Sequence, residues 1–179
     1  MNLVKAYHAG ELKEIDDFIK KGFGICHSSK QGNWLGEGMY FWENDPERAE
    51  EWQTRSNKGA ILECEIDTRS LLNLVVRSEH TIEFYDRAKQ LVEDLTKTSN
   101  LRNQRDAQKF ALDNQVFREI QQSFQLEQGL CGIRMAFFLG ESITPNGNLY
   151  ENQHIQICLW DVTAIQNPRK YTAGLSGLL

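Results

Sequence analysis

Three segments of this chain carry side chains that could hold a polar, ring-bearing ligand. Ala6-Tyr7-His8-Ala9-Gly10 ends an apolar run on a histidine and follows it closely with a glycine. A neutral imidazole both donates and accepts a hydrogen bond, which suits gripping a sugar hydroxyl. A single histidine more often serves the fold, so this segment weighs little alone. The second segment is Trp34-Leu35-Gly36-Glu37-Gly38-Met39-Tyr40-Phe41-Trp42-Glu43. Its glycines admit close backbone approach, and its aromatic rings offer flat faces for a heteroaromatic group. Strand alternation gives Tyr40 and Trp42 one face and Phe41 the other, where core packing is expected. The Gly36-x-Gly38 pair lacks a third glycine and precedes a strand instead of opening a helix, which disfavours a dinucleotide-binding fingerprint. The third segment runs from Tyr150 to Asp161. His154 and Gln156 share one face of a strand, with Ile155 and Ile157 on the other. On an antiparallel sheet such polar residues ordinarily face solvent.

The elements that must position these groups follow from periodicity. Leu3 to His8 reads as a first strand. Glu11 to Lys21 reads as a helix, with Leu12, Ile15, Phe18 and Ile19 at helical spacing and Gly22 as its stop. Gly22 to Gly38 reads as a loop, and Met39 to Trp42 as an aromatic strand. Asn44 or Asp45 caps the next helix, Pro46 fits its first turn, and Glu47 suits its positive end. Ala49 and Trp52 form its inward stripe. Ala60 to Ile66 alternates apolar and charged residues, which predicts a half-exposed strand. Two amphipathic helices are predicted between Thr81 and Gln125, joined around Thr96 to Asn103. Ile82, Tyr85, Ala88, Leu91, Val92 and Leu95 mark the first; Phe110, Ala111, Phe117, Ile120 and Phe124 mark the second. Strands return at Ile133 to Leu139 and His154 to Trp160, with Pro145-Asn146-Gly147-Asn148 as a turn between them. Strands at both ends and a helical insert at about 80–128 give an α+β class in a single domain, 1–179.

With 179 residues, 40% apolar and 25% charged, the chain can bury a full core. No apolar run approaches the ~18 residues that span a bilayer. The start, Met1-Asn2-Leu3-Val4-Lys5, has no apolar stretch of the kind that directs secretion, so a cytoplasmic protein without membrane contact is expected. Cys26, Cys64, Cys131 and Cys158 are spaced for neither a zinc site nor a disulfide framework, which predicts free thiols and no metal. A net charge of −5 argues against a broad nucleic-acid-binding face and leaves room for a small groove. Lys97, Arg102, Arg105 and Lys109 could meet phosphates, but Asp106 and Asp113 interleave with them as on a solvated helix face.

In order and combination, three motifs resemble the His–Tyr–Glu branch of the ADP-ribosyltransferase superfamily, which includes diphtheria-toxin-like and poly(ADP-ribose) polymerase catalytic domains. They are the Tyr7-His8-x-Gly10 strand, the Gly36-x-Gly38-x-Tyr40-Phe41 strand leading into a helix, and the Gln156-Ile157-Cys158-Leu159-Trp160-Asp161 run. The chain is also similar to small bacterial proteins sharing the Trp34 to Glu43 segment and a His154-Ile155-Gln156-Ile157 strand. The resemblance spans roughly residues 4–76 and 131–165. It implies an ADP-ribosyltransferase-like fold of two antiparallel-rich sheets with a central helical insert. It also implies NAD as a substrate, not a redox cofactor, and no metal. His8 would hold the NAD ribose, Tyr40 would stack on the nicotinamide, and Gln156 would stand at the position of the catalytic glutamate. Tyr7, Gly10, Gly38, Trp42, Trp52 and His154 would line the NAD site, although the helical stripe draws Trp52 towards the core. Glutamine offers neither charge nor a base at neutral pH. His154, Gln153 and Glu151 therefore stand as alternatives for the third position.

The implied reaction breaks the bond between nicotinamide and ribose through an oxocarbenium-like state. ADP-ribose then passes to a cytosolic macromolecule, whether RNA, DNA or protein. A bacterial toxin or phage-defence effector, neutralised by an antitoxin, is the setting that fold-level analogy suggests. An NAD glycohydrolase and a catalytically inactive NAD- or ADP-ribose-binding module are the alternatives.

Overall fold

The structure, a computed structural model, describes residues 2–22, 33–98, 107–142 and 150–173, excluding the side chains of 95–98, 107–114, 139–142 and 151. The chain runs β1 (Leu3–Gly10), α1 (Leu12–Lys21), β2 (Met39–Glu43), α2 (Pro46–Arg55), β3 (Ala60–Asp67), β4 (Leu71–Asn73), α3 (Glu79–Thr98), α4 (Ala107–Gln128), β5 (Gly132–Ser142), β6 (Tyr150–Leu159) and β7 (Ile165–Lys170). The strands form a seven-stranded sheet in the order β4-β5-β6-β2-β1-β3-β7. β4 and β5 are parallel and the other neighbours antiparallel. The α+β class holds, but the expected two sheets are one, because β2 pairs with both β6 and β1 and joins the two halves.

Local chemistry explains most element ends. Gly22 takes φ 74 and returns its N–H to the Phe18 carbonyl at 2.7 Å, closing α1 as a left-handed cap. Asp45 accepts from the Arg48 N–H at 3.1 Å, with Pro46 in the first turn of α2. β3 departs from the half-exposed expectation. Ile61 packs under α2, while Leu62, Cys64 and Ile66 pack on the α1 side, so both faces are covered. Glu63 is buried and meets Arg169 at 2.6 Å. β4 and β7 were absent from the sequence reading. The edge place of β7 suits Pro168, which has no N–H to donate to a neighbour.

One sheet face packs against α1 through Ile15 and Phe18 over Ala6, Phe41, Leu62 and Ile157. The other face has two covers. Ala49 of α2 lies against Tyr7, Ala9 and Ile61, whereas α3 and α4 bring Phe84, Phe117 and Phe124 onto Leu72, Ile133 and Cys158. In α3 the predicted stripe packs inward at Ala88, Leu91 and Val92 but not at its start. Ile82 and Tyr85 are exposed, and Phe84 turns inward to stack on Phe117 at 5.4 Å. Among the described residues, Cys64, Cys131 and Cys158 are free thiols, and no helix is long and apolar enough to cross a membrane. The Pro145 to Asn148 turn, Cys26, Arg102, Arg105 and Asp106 lie outside the described residues, as do the side chains of Lys97, Lys109 and Asp113.

Candidate functional site

The three segments singled out in the sequence occupy neighbouring strands, since β2 lies directly between β6 and β1. The register aligns Tyr7, Trp42, Gln156 and Met135 in one row across β1, β2, β6 and β5. Tyr40 and Cys158 form the row on one side of it, and His154 with Phe137 the row on the other. All of these side chains stand on the face shared by α2 and the α3–α4 pair. His8 has the opposite parity. It stands on the α1 face with its ring 5.6 Å from that of Phe41. The strands therefore converge as expected, but the side chain of His8 does not share a face with Tyr40 and Gln156.

His8 sits where β1 and β2 part. Their ladder consists of Ala6↔Glu43 and Tyr7↔Trp42. Beyond it the imidazole takes over, with Nδ1 donating to the Tyr40 carbonyl at 2.8 Å. A carbonyl only accepts, so the proton sits on Nδ1 and Nε2 keeps its lone pair. A Cβ on Gly10 would lie 3.0 Å from Nε2, so that glycine makes room for the ring. Burial pushes the imidazole down to about 4; the Tyr40 bond opposes this and Lys58 adds to it. The ring is neutral at physiological pH.

Tyr40 is committed to its own loop. Its hydroxyl accepts from the Leu35 N–H and donates to the Gly36 carbonyl, both at 2.8 Å. The half-buried ring joins the cluster under α4, and burial raises its pKa. Gly38 also serves packing. A Cβ there would meet Cys158 Sγ and the Leu159 carbonyl at 2.5 Å.

The open aromatic surface lies one row away. Trp42 and Trp52 have ring centroids 6.0 Å apart. Trp52 is 49% exposed, so the sequence-based core role does not hold. Tyr7 is buried edge-on against Tyr171 at 5.4 Å. Gln156 is half-buried and its Nε2 lies 3.0 Å from Nε2 of His154. His154 is buried, contrary to the expectation of solvent exposure. Phe137 stacks on it at 5.8 Å, with Trp34 a further 5.0 Å along. Burial, then Arg48, holds the His154 pKa below the ordinary imidazole value, against the pull of Asp45. Gln153 shares the parity of Ile155 and Ile157, so it belongs to the opposite face from Gln156, and the side chain of Glu151 lies outside the described residues.

A buried ion pair was missed. Arg134 donates from Nε and Nη2 to Glu43 at 2.5 and 2.6 Å, and from Nη1 to Asn73 at 3.1 Å. Its signal was a glutamate closing an otherwise apolar strand, and the pair ties β5 to β2 across β6 on the α1 face. Trp34 and Phe137 were also unassigned; only the register places them beside His154. A surface groove of about 450 Å³ lined by Val75, Val76, Ile82 and Tyr85 lies elsewhere, on α3. Among the described residues no group of His, Cys, Asp and Glu is placed to hold a metal. The row thus offers flat indoles, a neutral amide and a neutral imidazole. Such a surface can stack a heteroaromatic ring and orient a hydroxyl, but it supplies no strong base. In comparisons with known proteins, the chain matches no family model, no curated protein and no solved structure.

Proposed function

We propose that the chain is an NAD-dependent ADP-ribosyltransferase acting on a cytosolic macromolecule. The observation that carries this reading is the row itself. Segments far apart in sequence bring the Trp42 and Trp52 indoles beside the Gln156 amide, next to the point where β1 and β2 part. The indoles stack the nicotinamide ring, which is cationic before cleavage and leaves neutral. The Gln156 amide aligns the ribose, so the substrate is held in a reactive pose while the acceptor supplies the nucleophile. Tyr40 and His8 act indirectly, Tyr40 by fastening the glycine loop and His8 by fixing the β2 edge at the Tyr40 carbonyl. A toxin or phage-defence role with a neutralising partner is the setting that suits such chemistry.

One observation favours a second reading, an NAD- or ADP-ribose-binding module without turnover. The side chain at the expected glutamate position is an uncharged amide bonded to an imidazole. Incubation with labelled NAD and whole-cell lysate, treated in parallel with protease and nuclease, separates the readings when nicotinamide release and calorimetry are followed alongside. Label retained on protein or nucleic acid is the expected result. Binding without release supports the module, release into water alone supports a glycohydrolase, and no binding of NAD overturns all three.

A further inference from the structure

We propose that His154 is a positioning residue that holds the Gln156 amide with its carbonyl Oε1 towards the cleft, and that uptake of a proton by His154 turns the amide over. The proposal rests on the reading of Gln156 as the group that orients the NAD ribose.

The inference starts from donor and acceptor chemistry. Gln156 Nε2 lies 3.0 Å from His154 Nε2. In this orientation the amide nitrogen donates, so the ring nitrogen presents its lone pair and the proton of the neutral ring sits on Nδ1. That Nδ1 is buried and has no hydrogen-bond partner, on a residue only 7% exposed. His8, by contrast, anchors its Nδ1 on a backbone carbonyl at 2.8 Å. The only hydrogen bond of the His154 ring among the described residues is therefore the one to Gln156.

Packing keeps the ring aimed. It is buried and stacked on Phe137 at 5.8 Å with 20° between the planes. The charged groups that act on it are Arg48 and Asp45, at the start of α2. Arg48 disfavours a protonated ring. Asp45 favours one, but its carboxylate already accepts from the Arg48 N–H at 3.1 Å. β5 contributes Phe137 and Met135, and β6 contributes Gln156 and Asn152, none of them charged.

With the ring neutral, Gln156 gives an N–H to His154 and turns Oε1 away from it. Oε1 has no partner among the described residues, so it presents an acceptor to a hydroxyl as a carboxylate oxygen would. A proton taken from solvent onto Nε2 converts that nitrogen to a donor. The amide must then rotate to offer Oε1 to the ring, and the NH₂ left facing the cleft cannot accept a hydroxyl proton. The pair thereby performs the orienting part of a glutamate's role and none of its base chemistry.

The test compares wild type with His154→Leu and His154→Gln. The Gln variant brings a non-titrating oxygen near the place of Nε2. Nicotinamide release is followed between about pH 5 and 8, the range in which imidazoles titrate. In His154→Leu, kcat should fall about tenfold or more with KM little changed, the scale of one positioned hydrogen bond. His154→Gln should recover most of the rate and lack the acid-side decline of wild type. Long-range ¹⁵N–¹H spectra of the wild-type chain should show the Nδ1–H tautomer, and the Gln156 side-chain N–H signals should move as His154 titrates. An Nε2–H tautomer at neutral pH, or an unchanged acid decline in His154→Gln, overturns the proposal. Absence of nicotinamide release from wild type at every pH refutes the transferase reading instead, and the tautomer measurement still decides the role of His154.

Discussion

Replacing His8 by asparagine removes a titrating ring while keeping an N–H that can reach the Tyr40 carbonyl, and the consequence is readable as pH-dependent stability. In the folded chain the imidazole is held at about 4, against 6.5 for an unperturbed histidine. Between those values the unfolded chain binds the proton and the folded chain does not. The contribution of the neutral ring is therefore fully present above 6.5, declines as pH falls through 6.5 towards 4, and is gone below both values. A gap of 6.5 − 4 corresponds to about 3 kcal/mol in all, of which about 2 kcal/mol is lost by pH 5. These are upper figures, because part of the ring still touches water. Urea unfolding followed by tryptophan fluorescence at about pH 7.5 and about pH 5 measures the loss in each protein. Wild type should lose about 2 kcal/mol more than His8→Asn between the two conditions. Carboxylates and His154 are common to both proteins and cancel in that difference. Parallel pH curves would refute the reasoning, because they would mean that burial of the ring does not keep its proton off.

Tyr40→Phe should cost about 1–3 kcal/mol in urea unfolding, because it strands the N–H of the fully buried Leu35 and frees the Gly36 carbonyl. Unchanged stability would mean that the hydroxyl does not fasten the loop. Trp52→Ala should alter stability by less than about 1 kcal/mol, since the indole is half exposed, yet weaken NAD binding about tenfold through lost stacking. Unaltered affinity in calorimetry would remove the indole pair from the site.

What was legible in the sequence was local. The Gly22 cap, the Asp45-Pro46 start of α2 and the burial of Phe41 against its neighbours each depend on a few consecutive residues. Alternation also assigned His154 and Gln156 to a common face. It could not say which face of the sheet that was, or whether His8 shared it. That depends on the register between β1, β2 and β6, set by pairings such as Tyr7↔Trp42 and Trp42↔Gln156, neither of them local in sequence. β4 spans three residues and β7 contains a proline, so neither rises above a loop by pattern. In α3 the stripe held at Ala88, Leu91 and Val92 and failed only at its start, where Ile82 and Tyr85 are exposed. At that end the inward position is Phe84, which turns to Phe117 and Phe124 of α4.

The helical insert, which had no assigned purpose in the sequence, gains one from its contacts. Phe117 of α4 lies at van der Waals distance from Gly36, whose φ of 83 suits glycine and whose Cβ would stand 3.3 Å from that side chain. Arg118 on the next position pairs with Glu37 at 3.1 Å. α4 therefore presses on the same loop that the Tyr40 hydroxyl fastens from below, and the loop in turn brings Trp34 against Phe137. Phe137 covers His154, and His154 bonds Gln156. A continuous chain of contacts thus runs from the insert to the amide at the centre of the row. The wall opposite is α2, which enters from the other side with Trp52 over Trp42. Trp42, Gln156 and Met135 are half-buried, Trp42 against the α2 cluster and Met135 against the α3–α4 cluster. Between these two covers His154 is buried and Gln156 half-buried, where an open antiparallel sheet would wet both.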